Sequence, residues 1–235
     1  RQRQMCIRDR LFINNGDLTF TEMGNKYGVD DSGYTTQAAF FDYDNDGDLD
    51  LYILNHSTQE FAGLGKISKH NKKRKNKAYS DKLMKNENGK FIDVSDQVGL
   101  ISNVLGFGLG IAISDLNNDG WLDIYISNDY NEQDYLYFNN GDGTFKESLE
   151  DYIGHVSLYS MGSDIADINN DGFTDIMTLD MLPEHNYRIK MTSGPDNFEK
   201  LSYLWKNGFY HQTMRNMLQL NQGGSYFSEI GQFSG

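Results

Sequence analysis

Short alternating apolar runs, rather than helical stripes, organise this chain. DLYIL at 50–54, DIYIS at 123–127 and DIMTL at 175–179 are rich in β-branched and aromatic residues, and no helix cap precedes them. Each follows an Asp-rich turn. Before each turn lies a stretch of small and apolar residues: TTQAAFFD, GFGLGIAISD and MGSDIAD. A second pattern keeps step with the first. An apolar run meets an Asn/Gly/Asp cluster and resumes on an aromatic in LFINNGDLTF (11–20), LMKNENGKF (83–91), LYFNNGDGTF (136–145) and LQLNQGGSYF (218–227). That is a strand–turn–strand signal.

One unit therefore reads strand a, Asp loop, strand b, connection, strand c, tight turn, strand d. Four antiparallel strands per repeat, arranged radially, make the blade of a β-propeller. The expected fold is all-β: a partial propeller of three four-stranded antiparallel blades, at about 35–95, 106–149 and 160–230, preceded by the outer hairpin of an earlier blade at 11–23. Glycine and alanine in strand a suit the crowded axis of such a ring. The repeats are unevenly spaced, and the surplus falls in the connections 56–81 and 181–216. The second contains FEKLSYLWKNGF, with a helical stripe through Phe198, Leu201 and Leu204, so a partly helical insertion is expected there. Long connections on a rigid scaffold either carry recognition or decorate the surface, and the pattern favours neither.

Composition sharpens this reading. Of 235 residues, 38% are hydrophobic and 13% aromatic, ample for a packed core. Two prolines against 24 glycines, with 15 Tyr and 14 Phe, fit strands and turns. A net charge of −13 argues against nucleic acid as a partner, because phosphate recognition needs a basic surface. No apolar run approaches the roughly 18–20 residues of a membrane span. Residues 1–10, RQRQMCIRDR, share neither the composition nor the patterning of the rest and resemble a translated sequencing adapter. Setting them aside removes the only cysteine, Cys6, and leaves the remainder more acidic. The expectation is that residues 11–235 are a fragment of one propeller domain, with any export signal and the remaining blades outside it.

The Asp loops carry the candidate chemistry. DYDNDGDLD (42–50), DLNNDGWLD (115–123) and DINNDGFTD (167–175) place oxygen side chains at positions 1, 3, 5 and 9, with Gly at 6. The side chains are Asp42, Asp44, Asp46 and Asp50; Asp115, Asn117, Asp119 and Asp123; and Asp167, Asn169, Asp171 and Asp175. Position 7 is Asp48, Trp121 and Phe173, which would serve through the backbone carbonyl. Crowded carboxylates oppose one another's ionisation unless a cation lies among them. Hard oxygen ligands around a sharp turn suit Ca²⁺, in up to three sites; Mg²⁺ wants a stricter octahedron, and zinc wants nitrogen or sulfur. An EF-hand needs a chelating Glu at position 12 and a following helix. Here position 12 is Ile53, Ile126 or Thr178, inside an expected strand, which excludes it. The bland alternative is an Asx-rich turn without metal.

The D-x-[DN]-x-D-G-x-x-D loop, a small-residue strand before it and NNGDGTF hairpins after it resemble the FG-GAP/VCBS repeat propellers, and integrin α-subunits carry a similar calcium loop. The segment DMLPEHNYR with MRNMLQLNQGGSYFSEIGQFSG is similar to bacterial secreted or surface-anchored members that often end in an ASPIC/UnbV domain. The resemblance implies calcium as a structural staple, an extracellular, cell-surface or periplasmic location, and a closed ring of about seven blades. It also implies an unknown protein or glycan ligand bound by a non-enzymatic module. The alternative is a catalytic propeller, a polysaccharide lyase or hydrolase working in the central channel or the long loops. Against it, His56, His70, His155, His185 and His211 do not recur in register, and Glu184–His185 is the one candidate pair. GFGLG at 106–110 lies within a strand leading to an Asp loop and is no dinucleotide turn. The basic run KKRKNK (72–77) reads as an exposed loop, and Asn55-His56-Ser57 fits the glycosylation pattern.

Overall fold

In the computed structural model, residues 9–58, 68–181, 183, 185–192 and 198–234 are described. Strands dominate, and each forms where the alternating pattern lies. A hairpin, β1 (Phe12–Asn14) and β2 (Phe20–Glu22), opens the chain. The first full sheet is β3 (Thr35–Phe41), β4 (Asp50–Asn55), β5 (Lys82–Asn86) and β6 (Phe91–Asp93). The second is β7 (Gly108–Ser114), β8 (Asp123–Asn128), β9 (Tyr135–Asn139) and β10 (Phe145–Glu147). After the short β11 (Val156–Ser157) come β12 (Ser160–Ala166) and β13 (Asp175–Asp180). With β15 (Met217–Asn221) and β16 (Phe227–Glu229) these complete the third sheet, while β14 (Gln212–Thr213) pairs in parallel with β11. All three sheets are antiparallel with strands in chain order, the arrangement of successive blades in a partial β-propeller.

The core lies between the sheets. One cluster joins Tyr52, Leu54 and Leu83 of the first sheet to Ile111, Ile124, Ile126 and Tyr137 of the second. Another joins Tyr125, Leu136 and Phe138 to Ile176 and Phe227 of the third. Leu51, Ile53 and Met84 pack the other way, against Val29, Tyr27 and Leu11. Thus β4 and β8, apolar on both faces, are buried along their whole length. The inner strands approach closely: Thr36 Oγ1 donates to the carbonyl of Gly108 at 2.7 Å, and Gln37 Oε1 accepts the Ile111 N–H at 3.0 Å. A Cβ on Gly110 would come within 2.9 Å of Gly162 Cα, so small residues in strand a are a packing requirement at the axis.

The insertion contains helices Asn186–Thr192 and Phe198–Lys206, as expected of 181–216. Its stripe is only partly right. Leu204 is buried with Val104, Leu105 and Phe209, and Leu201 is half-buried, but Phe198 at the start of the helix is 74% exposed. Two further readings are refined, although Lys73, Arg74, Lys75 and Lys77 of the basic run are exposed as expected. Lys72, at the head of the basic run, is fastened: its ammonium donates to Gln133 Oε1 and to the Gly208 carbonyl, both at 3.1 Å, and lies over the Phe209 ring. The two long connections therefore meet. Asn55 is buried, its amide donating to the Ser80 carbonyl at 2.8 Å, so it cannot serve as a glycan acceptor in the fold. Residues 1–8, 59–67 and Glu184 lie outside the described residues.

Candidate metal centre

The three Asp loops sit at one end of the sheets, each joining the innermost strand to its neighbour, and they share a single conformation. The position-4 residues Asn45, Asn118 and Asn170 are left-handed at φ 55°, 59° and 59°, where Asn is tolerated best after Gly. The position-6 glycines 47, 120 and 172 follow at 93°, 91° and 89°. Position 1 caps the turn with both oxygens. Asp42, Asp115 and Asp167 accept the N–H of position 5 at 3.2, 3.0 and 3.1 Å and that of the glycine at 3.0, 2.8 and 2.9 Å. Position 5 then accepts from position 7: Asp46 from Asp48, Asp119 from Trp121, and Asp171 from Phe173.

Position 9 is the buried anchor. Asp50, Asp123 and Asp175 expose 0%, 0% and 1% of their surface. One oxygen of each accepts the position-2 N–H, of Tyr43, Leu116 or Ile168. The other accepts the N–H of an asparagine on strand c, Asn86, Asn139 or Asn221, at 2.8, 2.9 and 2.8 Å. Burial, only partly offset by these bonds, raises the Asp50 carboxyl to about 6 and that of Asp123 to about 7. Asp48 is raised as well, by desolvation first and then by Asp46, Asp44 and Asp42.

The asparagines were legible in the sequence only as turn residues, yet each does three things. Its backbone N–H holds the loop aspartate. Its side-chain oxygen caps the following hairpin glycine, Gly89, Gly141 or Gly224. Its amide donates back to the loop, and in two cases across to the preceding sheet: Asn139 to the Tyr43 carbonyl at 2.7 Å and Asn221 to the Leu116 carbonyl at 2.8 Å. Their recurrence in register within the second repeat was the available signal. A second set went unread. Tyr52 and Tyr125, fully buried, donate their hydroxyls to Asp81 and Asp134, whose other oxygens accept the N–H groups of Asn55 and Asn128. In the third sheet acid and amide exchange places: Asp180 donates its N–H to Asn216 Oδ1 at 2.8 Å.

In the first loop Asp42, Asp44 and Asp50 each offer an oxygen, all within 4.8 Å of one another. Asp44 Oδ1 and Asp48 Oδ1 are buried with no hydrogen-bond partner. An all-oxygen set with two such orphaned carboxylate atoms fits a hard divalent cation. The other two loops keep the same backbone with fewer carboxylates. The family described as FG-GAP-like repeat matches residues 8–53 and 115–178, which hold all three loops. The two matched segments are FG-GAP-like repeats. Mouse integrin alpha-3 is 35% identical over 81 residues, 30% of this chain and 8% of its own length. Mouse integrin alpha-7 is 35% identical over 86 residues, 30% of this chain and 7% of its own. Cartilage acidic protein 1 of Xenopus tropicalis is 26% identical over 200 residues, 83% of this chain and 29% of its own. The chain thus spans less than a third of the length of these curated relatives. A solved Agrocybe aegerita lectin, described by its recognition of non-reducing terminal N-acetylglucosamine, aligns at TM-score 0.43 and 16% identity, covering 96% of this chain and 48% of that one.

At the opposite ends of the strands the sheets carry a row of rings. Tyr79, Tyr34, His56, Phe107, Tyr130 and Tyr159 follow one another at centroid distances of 4.7 to 6.2 Å, crossing all three sheets. Tyr130 holds φ 67°, a strained setting for a bulky residue. The histidines are dispersed: His56 in this row, His155 against Arg215 and Glu229, and His211 against Trp205, with His70 and His185 exposed. No helix among the described residues is long and apolar enough to cross a membrane.

Proposed function

We propose that the chain is a calcium-stapled β-propeller scaffold from an exported protein, extracellular, cell-surface or periplasmic, that binds a protein or glycan ligand. The observation that carries the calcium reading is the first loop, where two buried carboxylate oxygens lack any donor beside a converged Asp42, Asp44 and Asp50. The ligands we assign are the side chains at positions 1, 3, 5 and 9 and the position-7 carbonyl of each loop. Bound there, the ion would neutralise the acids and lock the turn between strands a and b. At tenfold excess over its dissociation constant, calcium would add about 1.4 kcal/mol per site, a useful increment for a fold without disulfides. A calcium-rich compartment is the setting in which such loops are filled.

The binding reading is supported by the aromatic row, a rigid and partly exposed surface at the end of the sheets away from the loops. Rings of this kind suit stacking against sugar faces or peptide side chains. The test has two parts. Calorimetric titration should give calcium binding at up to three sites, and excess chelator should lower the melting temperature. An identical melt with and without chelator would sink the metal reading. Glycan and protein arrays probed with the chain should lose signal on Tyr130→Ala with the melt unchanged; equal binding by that variant would remove the row from the ligand surface.

A further inference from the structure

The first loop differs from its copies in what meets its third and fifth positions. In the second and third loops position 3 is Asn117 or Asn169, whose amide donates to the position-5 carboxylate, Asp119 or Asp171, at 2.9 Å. The first loop has Asp44 there, which has no N–H to give, and adds Asp48 at position 7. Five carboxylates share one turn where the copies hold three. The missing donor comes from the neighbouring strand. Lys85 of β5 hydrogen-bonds Asp44 Oδ2, and its ammonium lies 3.8 Å from Asp46 Oδ2 and 5.9 Å from the centre of the Tyr43 ring. In strand register Lys85 precedes Asn86 as Phe138 precedes Asn139 and Leu220 precedes Asn221, so this cation belongs to one loop of the three. Lys85 takes the outer oxygen of Asp44 and leaves Asp44 Oδ1 and Asp48 Oδ1 unpartnered.

We propose that Lys85 is the resident counter-cation of the first Asp loop, holding the loop formed without metal and opposing any divalent ion that enters it. This rests on the calcium reading above for its second half only. An ammonium bridging two ligand carboxylates does the work of the Asn amide in the other loops, and it adds a full charge. A divalent ion among the same carboxylates must push it away or tolerate it at close range. The three sites are therefore unequal by construction: two are silent until an ion arrives, and one carries its own.

The test compares the full chain with K85M and K85M/D44N. Without metal, K85M should melt lower than the parent, and K85M/D44N should recover, because an asparagine can then bridge positions 3 and 5 as Asn117 and Asn169 do. In calcium titrations K85M should tighten one binding event by about tenfold or more and leave the others in place. The reverse transplant, N169D/L220K, should weaken the third site relative to N169D alone, which keeps the proposal testable if K85M folds poorly. Unchanged or weaker calcium binding by K85M, or no difference among the metal-free melts, overturns the proposal. If no variant binds calcium, the calcium reading and the opposition to metal both fall, while the metal-free comparison still decides whether Lys85 compensates Asp44.

Discussion

The side-chain amide of Asn139 donates to the backbone carbonyl of Tyr43 at 2.7 Å, so a residue of the second sheet holds the Asp loop of the first. Both groups are buried, and the same amide faces the Leu122 carbonyl of its own loop. Asn139→Ala should therefore uncouple neighbouring sheets without touching a candidate metal ligand. We expect a loss of about 2–3 kcal/mol in urea unfolding, for stranded carbonyls and a lost turn cap. Asn139→Asp, which cannot donate, should cost about as much. A loss within error of zero would mean that the contact carries no stability.

Asp123 is the anchor beneath it. Its two oxygens hold the N–H groups of Leu116 and Asn139 at 2.8 and 2.9 Å. Asp123→Ala strands both donors in the interior, and we expect about 3 kcal/mol or more of destabilisation even in chelator. Chelator denaturation curves separate this from any metal effect. If the variant equals the parent without calcium and differs only with it, the anchor acts through metal alone.

Asp81 and Asp134 give a pH dependence. Each is buried and accepts a tyrosine hydroxyl, and burial, the largest cause, raises both carboxyls from 3.8 to about 7. With the folded value above the unfolded one, the native state binds the proton more tightly. Their contribution is complete below about pH 4 and is lost as pH rises through about 7. Metal-free stability of the parent relative to Asp134→Asn should therefore fall between pH 5 and pH 7.5, by on the order of 1 kcal/mol per pH unit. Parallel urea midpoints for the two proteins across that range would contradict it.

Gly99 closes the short helix Ser95–Val98 in the left-handed region, at φ 89°. A Cβ there would stand 2.9 Å from the carbonyl oxygen of Phe145, on the outer strand of the next sheet. Gly99→Ala should cost about 1–3 kcal/mol from backbone strain and the pushed carbonyl together. Gly143→Ala, also at positive φ but with open space around its Cβ, isolates the strain. Equal losses at the two sites would show that the Phe145 contact adds nothing.

Much of this molecule is legible in its sequence because its repeats are local. DYDNDGDLD, its two copies and the hairpin motif each fit within one turn and its flanking strands, where periodicity and turn chemistry decide the outcome. The failures have a different physical origin. Asn139 looks like any hairpin asparagine until the sheet before it is placed alongside. Asp81 and Asp134 stand alone before a strand, and their tyrosine partners lie across the sheet. Phe198 satisfies a helical stripe, yet it is 74% exposed while Leu204, farther along the same helix, is buried. Lys85 was read as part of a strand, and nothing local marks it as the partner of Asp44, 41 residues away.

The strand-c asparagines that bond across sheets reach back, from strand c of a later sheet to the loop of the one before. Asn139 reaches back 96 residues to Tyr43, and Asn221 reaches back 105 to Leu116. Among the described residues the third loop receives no strand-c asparagine; its Gly172 carbonyl accepts only the Asn118 amide of the preceding loop at 3.0 Å, and its Ile168 is 51% exposed where Leu116 and Tyr43 are 1% and 4%. During synthesis the first and second loops must therefore wait, unsecured, for about a hundred further residues to leave the ribosome. At about 5–20 residues per second that interval lasts about 5–20 seconds. A loop that carries its own cation, as the first does, is equipped for that wait.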